Sequence, residues 1–253
     1  MSYPISLAGK VALVIGGSGG IGIATARCFA KSGAQVVITH REGSEKARQA
    51  HDLLSTFKGE GHSAVAADVA DTKSLIVLRD NVLAKYGRLD ILVNSAGFTK
   101  PVPHTDLDAL NDDLIDRMFA VNWRGQFAAI RTFVPLLKAS GNGLIVSVSS
   151  IAGSTGVGSS IAYCATKAGI DVMTKSLARV LAPEIRVLGV SPGVVDTGFV
   201  PGRGADFNAK AGATTPLKRV ATADDVAQAI LACATHLGFS TGANIVVDGG
   251  RSL

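Results

Sequence analysis

Seven short apolar runs recur along the chain: KVALVIG (10–16), AQVVITH (34–40), SAVAADV (63–69), LDILVNSAG (89–97), GLIVSVSS (143–150), IRVLGVSPG (185–193) and ANIVVDGG (243–250). Each is too short and too continuously apolar for a half-exposed strand, so the pattern predicts strands buried on both faces. Stretches with helical spacing lie between them, among them 21–31, 72–85, 110–138 and 162–181. Strand and helix in alternation imply right-handed crossovers and therefore a parallel, doubly wound sheet of seven strands.

The length of 253 residues suits one large α/β domain spanning 1–253, and no Pro/Ser-rich linker, low-complexity tract or fixed-period repeat marks a boundary. Hydrophobic residues make up 47% and charged residues 18% of the chain, which predicts a large core and argues against disorder. The net charge of +5 comes from Lys and Arg scattered singly among Asp and Glu, so nucleic-acid binding is not expected. Cys28, Cys164 and Cys233 are odd in number and far apart, which indicates neither a disulfide framework nor a zinc or other metal site. The N-terminus lacks a signal-peptide pattern and no run reaches the ~18 apolar residues of a membrane span, so a soluble cytoplasmic protein is expected.

The first apolar run leads into GGSGGIG (16–22) and then a helix. A glycine cluster by itself describes any tight turn. Between a strand and a helix, however, Gly16, Gly20 and Gly22 supply the tight turn, the close approach of backbone to a pyrophosphate and the close helix packing that a Rossmann-type dinucleotide site needs. After the second run come His40 and Arg41, where such a fold meets the adenosine ribose. An acidic residue there would bind the 2′-hydroxyl, whereas Arg41 accommodates a 2′-phosphate and favours NADP(H) over NAD(H), unless it is simply solvated at the start of a loop. Asp68 and Val69 are expected to end the third strand, Asn94 to Gly97 the fourth, and the Gly- and Pro-rich stretch from Pro192 to Pro216 reads as a mobile loop, about 194–216, with room for a short helix.

In YCATK, Tyr163 and Lys167 stand four residues apart on one helix face, close enough for the lysine charge to favour a tyrosinate. The same spacing also describes a rim tyrosine beside a solvated lysine. Together with NSAG (94–97), VNWRG (121–125), VSVSSIAG (146–153), SPG (191–193) and VDGG (247–250), the chain resembles the short-chain dehydrogenase/reductase family over essentially its whole length. The likeness is nearest to its 3-oxoacyl-[acyl-carrier-protein] reductase type. Ile15 stands where that family has Thr before the first glycine, which costs one hydroxyl hydrogen bond and none of the glycines.

The resemblance implies that Tyr163 is the general acid for carbonyl reduction and base for alcohol oxidation, that Lys167 lowers its pKa and reaches the nicotinamide ribose, and that Ser150 donates to the reacting oxygen. Asn122, within the long fourth helix, would position a water that links Lys167 to solvent. Ser147 and Ser149 are competitors for the role of Ser150, and Asn122 could instead satisfy a bent helix. The family match also carries Gly16, Ser18, Gly20, Ile21 and Gly22 to the pyrophosphate, Asp68 and Val69 to the adenine, Asn94, Ala96 and Gly97 to the adenosine side, and Pro192, Gly193, Val195 and Thr197 to the nicotinamide carboxamide. Cys164 is expected to pack, and Phe98, His104 and Trp123 to belong to the core or the substrate loop.

The implied activity is NADP-dependent interconversion of a small-molecule ketone or aldehyde with an alcohol. An NAD-dependent alcohol or polyol dehydrogenase and a non-catalytic dinucleotide sensor are the alternatives. Apolar residues around much of the Tyr163 helix and of FAAIRTFVPLL (127–137) predict a homo-oligomer, a tetramer or dimer.

Overall fold

The structure, a computed structural model, describes residues 6–43, 45–204 and 206–253. Its strands are β1 (Val11–Ile15), β2 (Gln35–His40), β3 (Ser63–Ala66), β4 (Ile91–Asn94), β5 (Gly143–Val148), β6 (Ile185–Pro192) and β7 (Asn244–Val247). They form a single sheet in the order β3-β2-β1-β4-β5-β6-β7, every pairing parallel. The order reverses between β1 and β4, and the crevice this leaves beyond their carboxyl ends is the usual ligand position in a doubly wound sheet.

Alternation of side chains along the strands divides the core in two. Ala12, Val14, Val36, Ile38, Val93 and Val146 face one way, against Phe29 of α1 (Gly20–Lys31), Ala50 of α2 (Glu45–Leu54) and Ile230 of α9 (Ala223–Thr235). Leu13, Ile15, Val37, Leu92, Ile145 and Val187 face the other, against Leu78 of α3 (Thr72–Tyr86), Phe133 of α5 (Gly125–Ala139) and Ile170 of α7 (Ile161–Leu181). Central strands are therefore buried on both faces, as the continuous apolar runs predict.

The edges depart from that expectation. β3 is four residues long with Ala66 exposed, and Val246 in β7 is 53% exposed, because an edge strand has a neighbour on one side only and less helix above and below it. Asp68 and Val69 consequently lie in the turn after β3 and not at its end.

The stretch 110–138 is not one helix. Asn111 caps α4 (Asp112–Phe119) by accepting from the Leu114 N–H at 3.0 Å, and a π turn at Ala120–Arg124 joins it to α5. Asn122 sits in that turn, where one extra residue per turn displaces it from helical register. Periodicity cannot reveal this, since the apolar spacing on either side of the π turn is helical.

Two short helices complete the fold, α6 (Ala152–Thr155) and α8 (Phe207–Thr214), the second within the loop after β6. Among the described residues no helix is long and apolar enough to cross a membrane.

Candidate active site

The glycine turn after β1 is tight at the level of backbone. A Cβ at Gly22 would overlap the Gly16 carbonyl oxygen, and one at Gly16 would lie 2.6 Å from the Ala96 nitrogen, so Gly16 presses the turn against the segment after β4. Gly16 also has φ +77°, a conformation that favours glycine. A Cβ at Gly20 would lie 2.6 Å from Thr197 Cγ2, which brings the beginning of the loop after β6 onto the same turn. Among the described residues no side chain caps the N-terminus of α1, and no acid lies in its first turn, leaving N–H groups and the positive end of the helix dipole for an anion.

Ile15 is 1% exposed in the core, and the hydroxyl bond it cannot make comes from β2, where Thr39 Oγ1 accepts from the Gly16 N–H at 2.9 Å. That substitution was not legible in the sequence, because it depends on the β1–β2 register.

The other residues expected around a dinucleotide fall along the same edge. Ser18 is half-buried in the turn and Ile21 packs on the core below it. Asp68 is exposed, its carboxylate accepting from the Ala70 N–H at 2.8 Å, while buried Val69 packs against Gly125. Asn94 is 1% exposed and, among the described residues, neither Oδ1 nor Nδ2 of its amide has a hydrogen-bond partner. Gly97 lies between Phe199 and Asn122, Gly193 against Asp248, and buried Val195 bridges to Ala221. Pro192, the last residue of β6, accepts at its carbonyl from the Ile151 N–H at 3.0 Å. Arg41 is exposed just past the end of β2, beside half-buried His40. Glycines that admit no side chain, an uncapped helix N-terminus and an unpartnered amide together fit a dinucleotide.

Next to this edge stands the cluster expected to transfer a proton. Ser160 caps α7 by accepting from the Tyr163 N–H at 3.1 Å, which fixes the first turn and projects Tyr163 and Lys167 from one face. Burial pushes the Tyr163 phenol up to about 12; a hydrogen bond with Ser150 and the charge of Arg203 oppose that, while Cys164 adds to it. Lys167 is 4% exposed, donates to the Val148 carbonyl at 2.7 Å and lies 5.6 Å from the Tyr163 ring centre. Burial brings its ammonium down to about 8, with the Asp171 carboxylate pulling the other way.

Among the described residues no hydrogen bond joins Lys167 to the tyrosine, whose ring centre is 5.6 Å from its ammonium. That ammonium is directed at a backbone carbonyl, and the influences that lower the phenol come from Ser150 and Arg203.

Ser150 lies two residues past β5 and its hydroxyl accepts from the Ala152 N–H at 3.2 Å. Ser149 is turned the other way, donating to Asp171 Oδ1 at 2.5 Å, and Ser147 is buried within β5, so of the three serines Ser150 is the one beside the phenol. The Asn122 amide clamps the Phe98 backbone: Oδ1 accepts from the Phe98 N–H at 2.7 Å and Nδ2 donates to its carbonyl at 2.9 Å. Nδ2 also lies 3.3 Å from the Thr166 hydroxyl, tying the π turn to α7. The side chain thus holds the segment after β4 in place and is fully engaged with protein groups.

Of the remaining expectations, Cys164 is buried in packing contact with Gly158, and Trp123 stacks on Phe127 at 6.0 Å and packs against Gly169. Trp123 is therefore a helix-packing residue on the outer face, and His104 is exposed. Phe98 borders the site through its backbone clamp, with the Arg117 guanidinium 4.3 Å from its ring centre.

Two residues of the site carried no sequence signal. Phe199 has its ring 6.1 Å from that of Tyr163, and Arg203 is near enough to affect the phenol's charge. The Gly- and Pro-rich composition of 192–216 marks a loop, but no motif says which of its side chains turns inward.

A family model described as enoyl-(acyl carrier protein) reductase, adh_short_C2, matches residues 16–252. The chain belongs to the short-chain dehydrogenase/reductase family. It is 38% identical to cis-4-hydroxycyclohexanecarboxylate dehydrogenase of Sinomonas cyclohexanicum, with 97% of each chain covered. Identity to the 3-oxoacyl-[acyl-carrier-protein] reductase FabG of Thermotoga maritima is 34%, covering 96% of this chain and 98% of the relative. Among solved structures, a dehydrogenase/reductase from Sinorhizobium meliloti 1021 superposes with a TM-score of 0.87 at 34% identity, covering 99% of this chain and 98% of that one. Membership of this family makes the chain an oxidoreductase acting on alcohol and ketone substrates, with a nicotinamide dinucleotide as cofactor.

Proposed function

We propose that this short-chain dehydrogenase/reductase is an NADP-preferring carbonyl reductase that interconverts a ketone or aldehyde with an alcohol. The observation that carries the reading is the placement of the Tyr163 phenol beside Ser150 and buried Lys167, with the loop after β6 touching both the glycine turn, through Thr197, and the tyrosine ring, through Phe199. The names of two relatives, a 3-oxoacyl-[acyl-carrier-protein] reductase and a cis-4-hydroxycyclohexanecarboxylate dehydrogenase, support a ketone and a secondary alcohol as the reacting pair.

A nicotinamide dinucleotide held in this site would supply the hydride chemistry of the reaction. The chain's own part is to hold the carbonyl oxygen and to move a proton. Ser150 donates a hydrogen bond to that oxygen as negative charge builds on it, and Tyr163 passes its phenolic proton to it, leaving a phenolate. A desolvated phenol holds its proton tightly, so the charge developing on the substrate oxygen is what draws the proton off. Lys167 then sits close enough to stabilise the phenolate, and Asn122 acts through Phe98 and Thr166 by fixing the walls of the site.

The turn at Gly16, Ser18, Gly20, Ile21 and Gly22 would hold the pyrophosphate, Asp68 and Val69 the adenine, and Asn94, Ala96 and Gly97 the adenosine side. Pro192, Gly193, Val195 and Thr197 would hold the carboxamide, and Arg41 would form charge-assisted hydrogen bonds with a 2′-phosphate. The deciding assay measures oxidation of NADPH and of NADH with a panel of ketones, β-ketoesters and aldehydes. Higher efficiency with NADPH is expected, and Arg41→Ala should weaken NADPH by about one to two orders of magnitude with NADH nearly unchanged. Equal efficiencies in the parent would refute the NADP preference, and no turnover of any carbonyl would refute the reductase reading.

The enzyme is further read as a cytoplasmic homotetramer. Support for assembly comes from apolar side chains left exposed on α4, α5 and α7: Phe119, Phe127, Val172 and Val180. Sedimentation at micromolar concentration should show a tetramer or dimer, and a stable monomer would rule assembly out.

A further inference from the structure

The loop after β6 packs Phe199 near Tyr163 and carries a cation a turn further on, whose charge is felt at the phenol. Phe199 packs near the Tyr163 ring, with Gly97 on its other contact, and four residues later Arg203 stacks its guanidinium 4.3 Å from the ring centre of Phe207 at the start of α8. Stacking occupies the flat face of a guanidinium and leaves its N–H edge donors available, the arrangement best suited to gripping a planar carboxylate.

The acids of this loop are committed elsewhere. Asp196 accepts from Asn208 Nδ2 at 2.7 Å, and Asp206 pairs with Lys210. Asp248, the nearest acid after β7, accepts from Ser252 and Gly250. Among the described residues no carboxylate forms an ion pair with Arg203, although it is half-buried.

A second guanidinium adds to the positive field. Arg251 is fastened to the Ala211 carbonyl at 3.0 Å and to the Thr214 and Thr215 hydroxyls, and its charge repels that of Arg203. Burial, the largest influence, and this repulsion both weaken Arg203's hold on its proton, while the Tyr163 phenol opposes them. Two like charges beside a half-buried site form an arrangement that an anionic ligand stabilises.

We propose that Arg203 is a carboxylate anchor and that the substrates of this enzyme are oxo acids and hydroxy acids, bound with their carboxylate on Arg203 and their carbonyl or hydroxyl at Tyr163. The proposal rests on the reductase reading above for the reacting atoms. It extends that reading by assigning the substrate class and a specificity-determining residue.

The test compares matched pairs, 4-oxopentanoate with its methyl ester and 4-oxocyclohexanecarboxylate with its methyl ester. The parent should favour at least one acid over its ester in kcat/KM by about tenfold or more, as the loss of one charge-assisted contact predicts. R203M keeps an unbranched apolar stem over Phe207 and should bring the ratio to within about twofold of one, whereas R203K should retain part of it.

Calorimetry with the Tyr163→Phe variant saturated with NADP+ measures the same preference without turnover. There the acid should bind more tightly than the ester, and R203M should abolish the difference. Turnover of ketones with no preference for either acid, or an acid preference that survives R203M, overturns the proposal and leaves the reductase reading standing. Preferential acid binding in a protein that reduces neither acid nor ester supports the anchor and counts against the reductase reading alone. A fall in NADP+ affinity for R203M with the acid-to-ester ratio intact assigns Arg203 to the cofactor and also overturns it.

Discussion

At the amino-terminal edge of the sheet, Asp90 is 1% exposed and fully bound: Lys10 Nζ at 3.0 Å, Arg88 at 2.6 and 2.9 Å, and the Val11 N–H at 3.0 Å. At the carboxyl edge Lys167 is nearly as buried, yet its ammonium meets a neutral backbone carbonyl, and among the described residues no carboxylate forms an ion pair with half-buried Arg203. Burial, the largest influence on Asp90, pushes it up, but the bonds from Arg88, Val11 and Lys10 together outweigh this and leave it below the ordinary range. For Lys167 burial prevails over Asp171 and the group moves toward neutrality. One edge satisfies its buried charge and thereby joins β1 to β4. The other keeps polar groups incompletely satisfied, Asn94 included, and these are groups that a cofactor and substrate can engage.

The sharpest test of this contrast is Tyr163→Phe. Removing the transferable proton while keeping the ring should lower turnover by ~10²-fold or more, with dinucleotide affinity and thermal midpoint close to the parent. Parental turnover in a folded variant would exclude the acid/base role.

Asp90→Asn should do the reverse. It weakens the bonds to both cations and should cost about 2 kcal/mol of folding stability, read by urea denaturation, while kcat per folded molecule stays at the parental value. A loss of kcat in this variant would mean that the two edges are coupled.

Smaller effects are expected from pH. With Lys167 near 8, its cationic fraction falls as pH rises through that value, so kcat/KM for carbonyl reduction should decline above about pH 8. A profile flat to pH 9.5 would remove Lys167 from the mechanism. For Asp90 the folded pKa lies below the unfolded value of about 3.9, so its stabilisation is complete above that pH and is lost as pH falls through the folded pKa. The acid limb of a thermal-midpoint profile should therefore be shallower in Asp90→Asn than in the parent.

The sequence by itself determined the sheet, the glycine turn and the pairing of Tyr163 with Lys167 on one helix. Seven apolar runs give seven parallel strands because double-sided burial leaves no other arrangement for runs so short and continuous. GGSGGIG specifies its turn because backbone contacts at Gly16 and Gly22 exclude every side chain. Tyr163 and Lys167 share a face because both lie on one helix, and a period of 3.6 residues is a local property.

What the tertiary structure decided is whatever depends on elements far apart in the chain. Thr39 replaces the hydroxyl lost at Ile15 only through the register of β1 with β2. The π turn that sets Asn122 against Phe98 and Thr166 is fixed by contacts with the segment after β4 and with α7, to which helical periodicity is blind. Lys167 acquires its low pKa, and Tyr163 its high one, from burial beneath other elements, and Phe199 comes near the tyrosine ring, with the charge of Arg203 felt there, only because the loop after β6 folds back toward it. Local pattern specifies which groups are present, but desolvation and charge at a site are sums over everything packed around it.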